Sequence, residues 1–335
     1  MSLAVAVSGL KHDHVRPVLT ALLASPGLRL VGVADDDPAN RLTFERDFGI
    51  TVAYASHREL LESLEFDVMV VCEAFGRRGA VVLDALRGGK HVFSDKPLCT
   101  SEEELWQIAA AARAGDREIG LDLSFRHWWA RTGPPLQQGE IGRIVGCVFS
   151  GPHGLHCGSR PQWYFQPGLH GGIINDLIGH GVDYVRWVTG HRATQVLSAS
   201  VARVGVPQAP DFQTLGEAHL LCEGGATAFG QVSYLVPEGH GAGWQFALTG
   251  TEGDAFVDEQ GLRLRRAGRP ERRIEPGAPE PRWEHPFTDF AHYLTDGEQP
   301  LRTTTEVLEC SLATLTAQCA ADTGKTRVPI PPMPG

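Results

Sequence analysis

Residues 168–190, GLHGGIINDLIGHGVDYVRWVTG, carry an imidazole and several carboxylates at helical spacing. At about 100° per residue, Asp176, His180, Asp183 and Trp187 fall within roughly 60° of one another, opposite Ile174, Leu177, Ile178, Val182, Val185 and Val188. A solvated helix face recruits long Lys, Glu and Arg stems, whereas this stripe offers short Asp side chains, a titratable ring and an indole. Histidine, with an unperturbed pKa of about 6.5, suits proton transfer near neutral pH, and an Asp one turn earlier can orient the ring.

A second feature is a lysine at the end of an apolar run. In GKHVFSDKPLCTSEEEL, Asp95-Lys96-Pro97 stand at the carboxyl end of an expected strand, just ahead of a helix opened by a Ser101/Glu104 capping box. In open α/β sheets that edge binds ligands, and a lysine there can bond a substrate hydroxyl and help its deprotonation. A surface lysine before a Pro-fixed turn is the plainer alternative.

The third feature is the turn Ser8-Gly9-Leu10-Lys11-His12-Asp13-His14, which follows the first apolar run where a dinucleotide-binding unit places G-x-G-x-x-G. Gly9 is present, while Lys11 and His14 stand at the second and third glycine positions. Asp35 ends the next apolar run, where a carboxylate takes the ribose hydroxyls. Asp36 and Asp37 follow, so a 2′-phosphate would meet three carboxylates, and NAD is expected over NADP. A solvated turn and helix cap is the alternative for these aspartates. Lys11 either adds a cation near the pyrophosphate or obstructs the close backbone approach.

Two kinds of domain must position these residues. Residues 1–123 alternate short apolar runs with amphipathic segments, as in a doubly wound parallel sheet of Rossmann type. Strands are expected at 4–7, 28–34, 51–54, 68–72, 91–93 and 119–123. Helices are expected at 15–24 behind an Asp13 cap, 38–48 behind Asp37, 78–87 and 102–114, with a further capping box at Ser56/Glu59. Residues 124–335 are read as an α/β substrate-binding and oligomerisation domain. Its large, mostly antiparallel open sheet is expected from runs at 196–204, 217–222, 226–236, 245–249, 255–258 and 262–266. A polar connection at 268–281 and a threonine-capped helix at 303–323 complete it. The alternation in GLRLRR marks the exposed side of an edge strand.

The 335 residues suffice for two cores, and 42% hydrophobic with 21% charged residues describes a globular chain. A net charge of -10 without any basic block argues against a nucleic-acid partner. Seven cysteines without a CxxC pair fit a reducing cytoplasm, and no apolar run approaches a membrane span.

Taken together, nearly the whole chain resembles the glucose-fructose oxidoreductase, inositol dehydrogenase and MocA (Gfo/Idh/MocA) family of nicotinamide-dependent oxidoreductases. GGKHVFSDKPL is similar to the family's AGKHV-x-x-EKP stretch, with Asp95 for its glutamate. GGIINDLIGHGVDYVRWVTG is similar to its GG-x-x-x-D-x-x-x-H-x-x-D-x-x-x-W-x-x-G helix. The resemblance implies a Rossmann domain, then a domain whose open sheet joins subunits into a homodimer or homotetramer. It also implies that His180 accepts the hydroxyl proton, that Lys96 lies near the nicotinamide and the reacting hydroxyl, and that Asp176 holds substrate or orients the histidine. Asp183 supports the helix.

On this reading NAD is held by Gly9, Leu10, Lys11, His12, Asp35, Glu73 and Lys96. Lys96, Arg126, His153, Trp163, Asp176 and His180 contact a sugar, polyol or related small molecule, whose secondary hydroxyl or ketone exchanges hydride with the cofactor. The alternative is a non-catalytic relative that binds a sugar-like ligand beside a weakened cofactor site, motivated by Lys11 and His14. His153, His156 and Cys157 include zinc-type ligands, but no fourth stands at recognisable spacing, so no metal is expected. With Arg160 and Tyr164 they are read as a loop near the substrate.

Overall fold

A computed structural model describes residues 2–237, 243–277 and 283–333. The chain forms two compact units. The first comprises Met1–Asp122, Pro161–His170 and His285–Val307, and the second Leu123–Arg160, Gly171–Glu284 and Leu308–Gly335.

The first unit runs β1 (Leu3–Ser8), α1 (Val15–Ala24), β2 (Leu28–Ala34), α2 (Pro38–Phe48), α3 (His57–Ser63), β3 (Val68–Val71), α4 (Phe75–Arg87), β4 (His91–Ser94), α5 (Glu102–Gly115) and β5 (Ile119–Leu121). Its five strands are all parallel, in the order β2-β1-β3-β4-β5. Near-continuous apolar strands such as VMVV are buried on both sheet faces, as helices on both sides require. The strand order reverses between β1 and β3, so the turns after these two strands flank the crevice where such sheets bind ligands.

Local signals set most helix starts. Asp37 accepts the Ala39 N–H at 2.8 Å, and Ser56 and Ser101 cap α3 and α5. Two expectations fail. Asp13 does not cap α1: His14 occupies that position without a capping bond, and the Asp13 side chain is 96% exposed. Residues 51–54 form only a bridge from Tyr54 to Ala34, because the Val52 N–H is taken by the Glu45 side chain at 2.9 Å rather than by a strand.

The second unit contains α6 (Phe125–Trp128), α7 (Gly133–Gln137), β6 (Ile144–Pro152), α8 (Gly179–Thr189), β7 (Ala193–Ala202), β8 (Leu215–Cys222), β9 (Thr227–Ser233), β10 (Gln245–Gly250), β11 (Gly253–Asp258), β12 (Gly261–Arg266) and β13 (Arg272–Ile274). Helix α9 (Pro286–Asp296) returns to the first unit, where Phe287 packs on Phe93 at 5.2 Å. Helix α10 (Thr304–Thr323), opened by a Thr303/Glu306 capping box, and β14 (Val328–Pro329) follow.

The described strands of the second unit form a nine-stranded sheet, β13-β12-β11-β10-β6-β9-β8-β7-β14, antiparallel except for β6 with β9. Strand β12, the GLRLRR run, is not an edge: β13 covers it by pairing Arg273 with Arg263. That strand comes from the stretch read as a polar connection, whose residues 278–281 lie outside the described residues. Strand β6 has no counterpart in the sequence reading, since its two glycines and proline blur the alternation. No helix among the described residues is long and apolar enough to cross a membrane.

Helix α8 reaches the sheet through a missing side chain. A Cβ on Gly181 would lie 2.2 Å from the Phe149 ring of β6, and one on Gly230 of β9 2.1 Å from it. Gly181→Ala should therefore lower stability by roughly 1–3 kcal/mol through overpacking, despite alanine's better helix propensity. Thermal unfolding checks this, and adding Phe149→Leu should restore part of the loss.

Candidate active site

In the first unit the turn after β1 is stitched to its neighbours. Gly9 has φ +86°, and a Cβ there would sit 2.7 Å from the Glu73 nitrogen, so both conformation and space demand glycine. The Gly9 N–H donates to the Ala34 carbonyl at 2.9 Å, and the Lys11 N–H to that of Cys72 at 3.2 Å. Asp35, buried at the end of β2, accepts the Leu10 N–H at 2.6 Å and the Lys11 ammonium at 2.9 Å. Lys11 also pairs with Asp36. Burial opposes the Lys11 charge, but these two carboxylates outweigh it and hold its pKa above the ordinary value. Burial and the nearby Asp35 push the Glu73 carboxyl up.

A cavity of about 780 Å³ opens here, lined among others by Leu10, Lys11, Asn40, Arg77 and Trp163. Its volume lies within the range of small-molecule and cofactor sites. The N–H groups at the amino end of α1 and in the glycine turn, with the buried Asp35 as acceptor, are the set of groups a dinucleotide requires.

Behind the turn lies a fully buried carboxylate. Asp95 receives the Arg78 guanidinium at 2.9 Å and the Lys96 N–H at 2.7 Å, with His14 Nδ1 at 2.8 Å and His12 Nδ1 at 3.2 Å. Burial works against this charge, yet Arg78 and the two imidazoles hold the carboxyl well below its usual range. Among the described residues, His12, His14 and Asp95 are the one group whose metal-type ligand atoms gather, all within 4.8 Å. Arg78 already supplies a cation to that carboxylate. Lys96 is buried, joined to Pro97 by a cis bond, with its ammonium 5.9 Å from the Phe75 ring centre.

In the second unit residues 174–189 of the 168–190 segment are helical but not uniform, and residues 168–172 are not helical. Residues Ile174–Ile178 form a π turn before α8, so a strict 100° wheel does not run through it, and such turns are frequent at functional sites. Gly172, with φ +92°, leaves room for Gln318 of α10, whose side-chain oxygen accepts the Ile174 N–H at 3.0 Å and caps the turn. Both faces are covered: Asp176 and Asp183 are as buried as Leu177. Tyr234, on the run leaving β9, donates its hydroxyl to Asp176, and its ring meets that of His153 at 5.9 Å. The half-buried His180 ring stacks on Phe125 at 4.7 Å and meets Trp244 edge-on at 5.4 Å.

A sequence model of the oxidoreductase family with the NAD-binding Rossmann fold, GFO/IDH/MocA, matches residues 4–121, and that family's C-terminal domain matches residues 135–256. The chain belongs to the Gfo/Idh/MocA oxidoreductase family. Inositol 2-dehydrogenase from Burkholderia lata is 28% identical over 206 residues, 59% of this chain and 58% of that protein. The match thus spans a little over half that relative's length. A crystal structure described only as an oxidoreductase, from Erwinia carotovora atroseptica, is 25% identical with a TM-score of 0.86, covering 96% of this chain and 99% of its own. An oxidoreductase from Agrobacterium radiobacter, solved with NAD+, L-tartaric acid and magnesium, shares the fold at a TM-score of 0.81 and 21% identity, covering 98% of each chain.

Within this family member the residues named from sequence fall into two sets. Gly9, Leu10, Lys11, His12, Asp35, Glu73 and Lys96 come together in the first unit. Trp163 joins them: the segment Pro161–His170 folds with that unit, and its indole N–H donates to the Lys11 carbonyl at 3.1 Å. Trp163, read from the sequence as a substrate contact, therefore lines the cavity beside the turn after β1. Asp176, His180 and His153 belong to the second unit. Arg126 does too, with its guanidinium buried against Asp183 at 2.8 Å. The sequence reading missed Tyr234, Phe125 and Trp244 around the helix, and Asp95 as a hub. Only the HDH triplet hinted at the hub.

Burial pushes the His12 imidazole down to about 4, against the pull of Asp95. The unfolded chain protonates that ring near 6.5, so its stability contribution is complete above pH 6.5 and is lost as the pH falls towards 4. For His14 burial acts the same way, but Asp95 outweighs it and raises the pKa. Its contribution is complete below 6.5 and is lost as the pH rises through the raised value. Melting temperature measured against pH should show His12→Asn removing an acid-side loss of at most roughly 3 kcal/mol, while His14→Asn removes a decline on the alkaline side.

Proposed function

We propose that this protein is an NAD-dependent oxidoreductase that moves hydride between the nicotinamide and the carbon of a secondary hydroxyl, or its ketone, in a sugar, polyol or related small molecule. One observation carries the reading: the buried Asp35 closes β2 beside the Gly9 turn and its cavity, in a family whose N-terminal domain binds NAD. The inositol dehydrogenase relative supports a polyol among the substrates. Asp35 would hold the ribose hydroxyls, and the backbone of residues 9–11 with the amino end of α1 the pyrophosphate. When bound, the nicotinamide supplies the hydride acceptor.

The motifs in which they stand give Lys96, His180 and Asp176 the protein's part of the reaction. As the carbon gives up hydride, His180 takes the hydroxyl proton and the carbon–oxygen bond becomes a carbonyl. Stacking on Phe125 fixes the imidazole plane, so the ring exchanges its proton without reorienting. By its own motif, Lys96 takes the part of an ammonium that bonds a substrate hydroxyl and helps its deprotonation. Asp176, held by Tyr234, binds substrate or orients the imidazole. The reading carries with it a cytoplasmic location and subunit pairing through the open face of the nine-stranded sheet, where Val148 is exposed.

A ligand-binding relative without turnover is favoured by one observation, the Lys11 ammonium on the ribose carboxylate. NADH absorbance followed across a panel of inositols, sugars and sugar acids separates the two. We expect turnover with at least one polyol, and falls in kcat of roughly 10²–10⁴-fold for Lys96→Ala and for His180→Ala. Stabilisation by sugar alone, with no response to NAD and no turnover, would assign the second reading instead.

A further inference from the structure

We propose that Lys11 is a resident competitor for the ribose-binding carboxylate Asp35, and so sets how tightly and how selectively the cofactor is held. The inference rests on the dinucleotide reading above. An ionised carboxylate offers about four lone-pair sites, and four donors already converge on Asp35. The Leu10 N–H reaches Oδ2 at 2.6 Å, while the Lys11 ammonium at 2.9 Å, the Asp37 N–H at 2.8 Å and the Asn40 amide at 3.3 Å reach Oδ1. A ribose diol brings two more donors, so two resident ones must give way: the Asn40 amide, already long at 3.3 Å, and one of the other three.

Lys11 is the donor able to leave. The Leu10 and Asp37 N–H groups belong to backbone fixed by the Gly9 bond to Ala34 and by the α2 cap. Lys11 reaches Asp35 on a flexible four-carbon stem and has a second partner in Asp36, whose side chain is 55% exposed. The exchange costs an ion pair in which the Asp35 side chain is fully buried and that of Lys11 is 10% exposed, where screening is weak. Two neutral hydroxyl bonds only partly offset that loss. The displaced ammonium stays beside Asp36, which Arg77 also reaches at 3.2 Å. These two cations soften the repulsion that Asp35, Asp36 and Asp37 present to a 2′-phosphate.

Replacing the ammonium by a neutral chain of similar length therefore has opposite effects on the two cofactors. Titration of the whole protein with NADH and NADPH, read by energy transfer from tryptophan, should show Lys11→Met binding NADH roughly three- to tenfold tighter and NADPH more weakly than the wild type. Lys11→Gly, which restores the glycine of the motif, should act in the same direction. Ligand-free melting temperatures confirm that both variants fold. Wild type that binds NADH while both variants bind it equally or less tightly overturns the competitor role, weaker binding making Lys11 a phosphate ligand instead, and leaves the oxidoreductase reading in place. If neither wild type nor variants bind either cofactor, both readings fall.

Discussion

A single buried negative charge organises the first unit. Asp95 ends β4 with no exposure to water, and an isolated carboxylate there would be prohibitively costly. It persists because Arg78 of α4, His12 and His14 of the first turn, and the Lys96 N–H all converge on it. The same bonds fix the strand ends and the turn that flank the cavity. His12 and His14, the second of which stands at a glycine position of the motif, are therefore framework residues, locking the turn against the end of β4 just before Lys96.

The second unit solves a similar problem with packing. Its motif helix is covered on both sides, so the carboxylates on its polar stripe had to find partners inside the protein. Asp183 finds Arg126 and Asp176 finds Tyr234. Glycines at 172 and 181 let Gln318 and Phe149 close in. A helix held this tightly can present His180 in one orientation, which suits a group that must meet a proton in a narrow geometry.

Lys11 shows how a degenerate motif can be informative. In a glycine-rich turn the second position is empty of side chain, which leaves the ribose carboxylate to the ligand. Here that carboxylate is already bonded to an ammonium from the same turn. With Asp35 as the proposed ribose ligand, cofactor binding becomes an exchange of partners in which Asp36 and Arg77 take part.

Much of the architecture was legible because it rests on local rules. Apolar runs, the Asp37, Ser56 and Ser101 caps, and the spacing of the DKP and D-x-x-x-H motifs depend on neighbours a few residues away, and they place β1 to β5, α2, α3, α5 and α8. By itself the sequence determined the two fold types and the acidic end of β2. Tertiary structure alone decided that Asp95 is a hub, that Trp163 folds onto the turn after β1, that Tyr234 holds Asp176, and that β6 and β13 join the sheet. Each of these depends on side chains or strands brought together from distant stretches of chain, and burial, charge pairing and close packing select such partners only once the fold has closed.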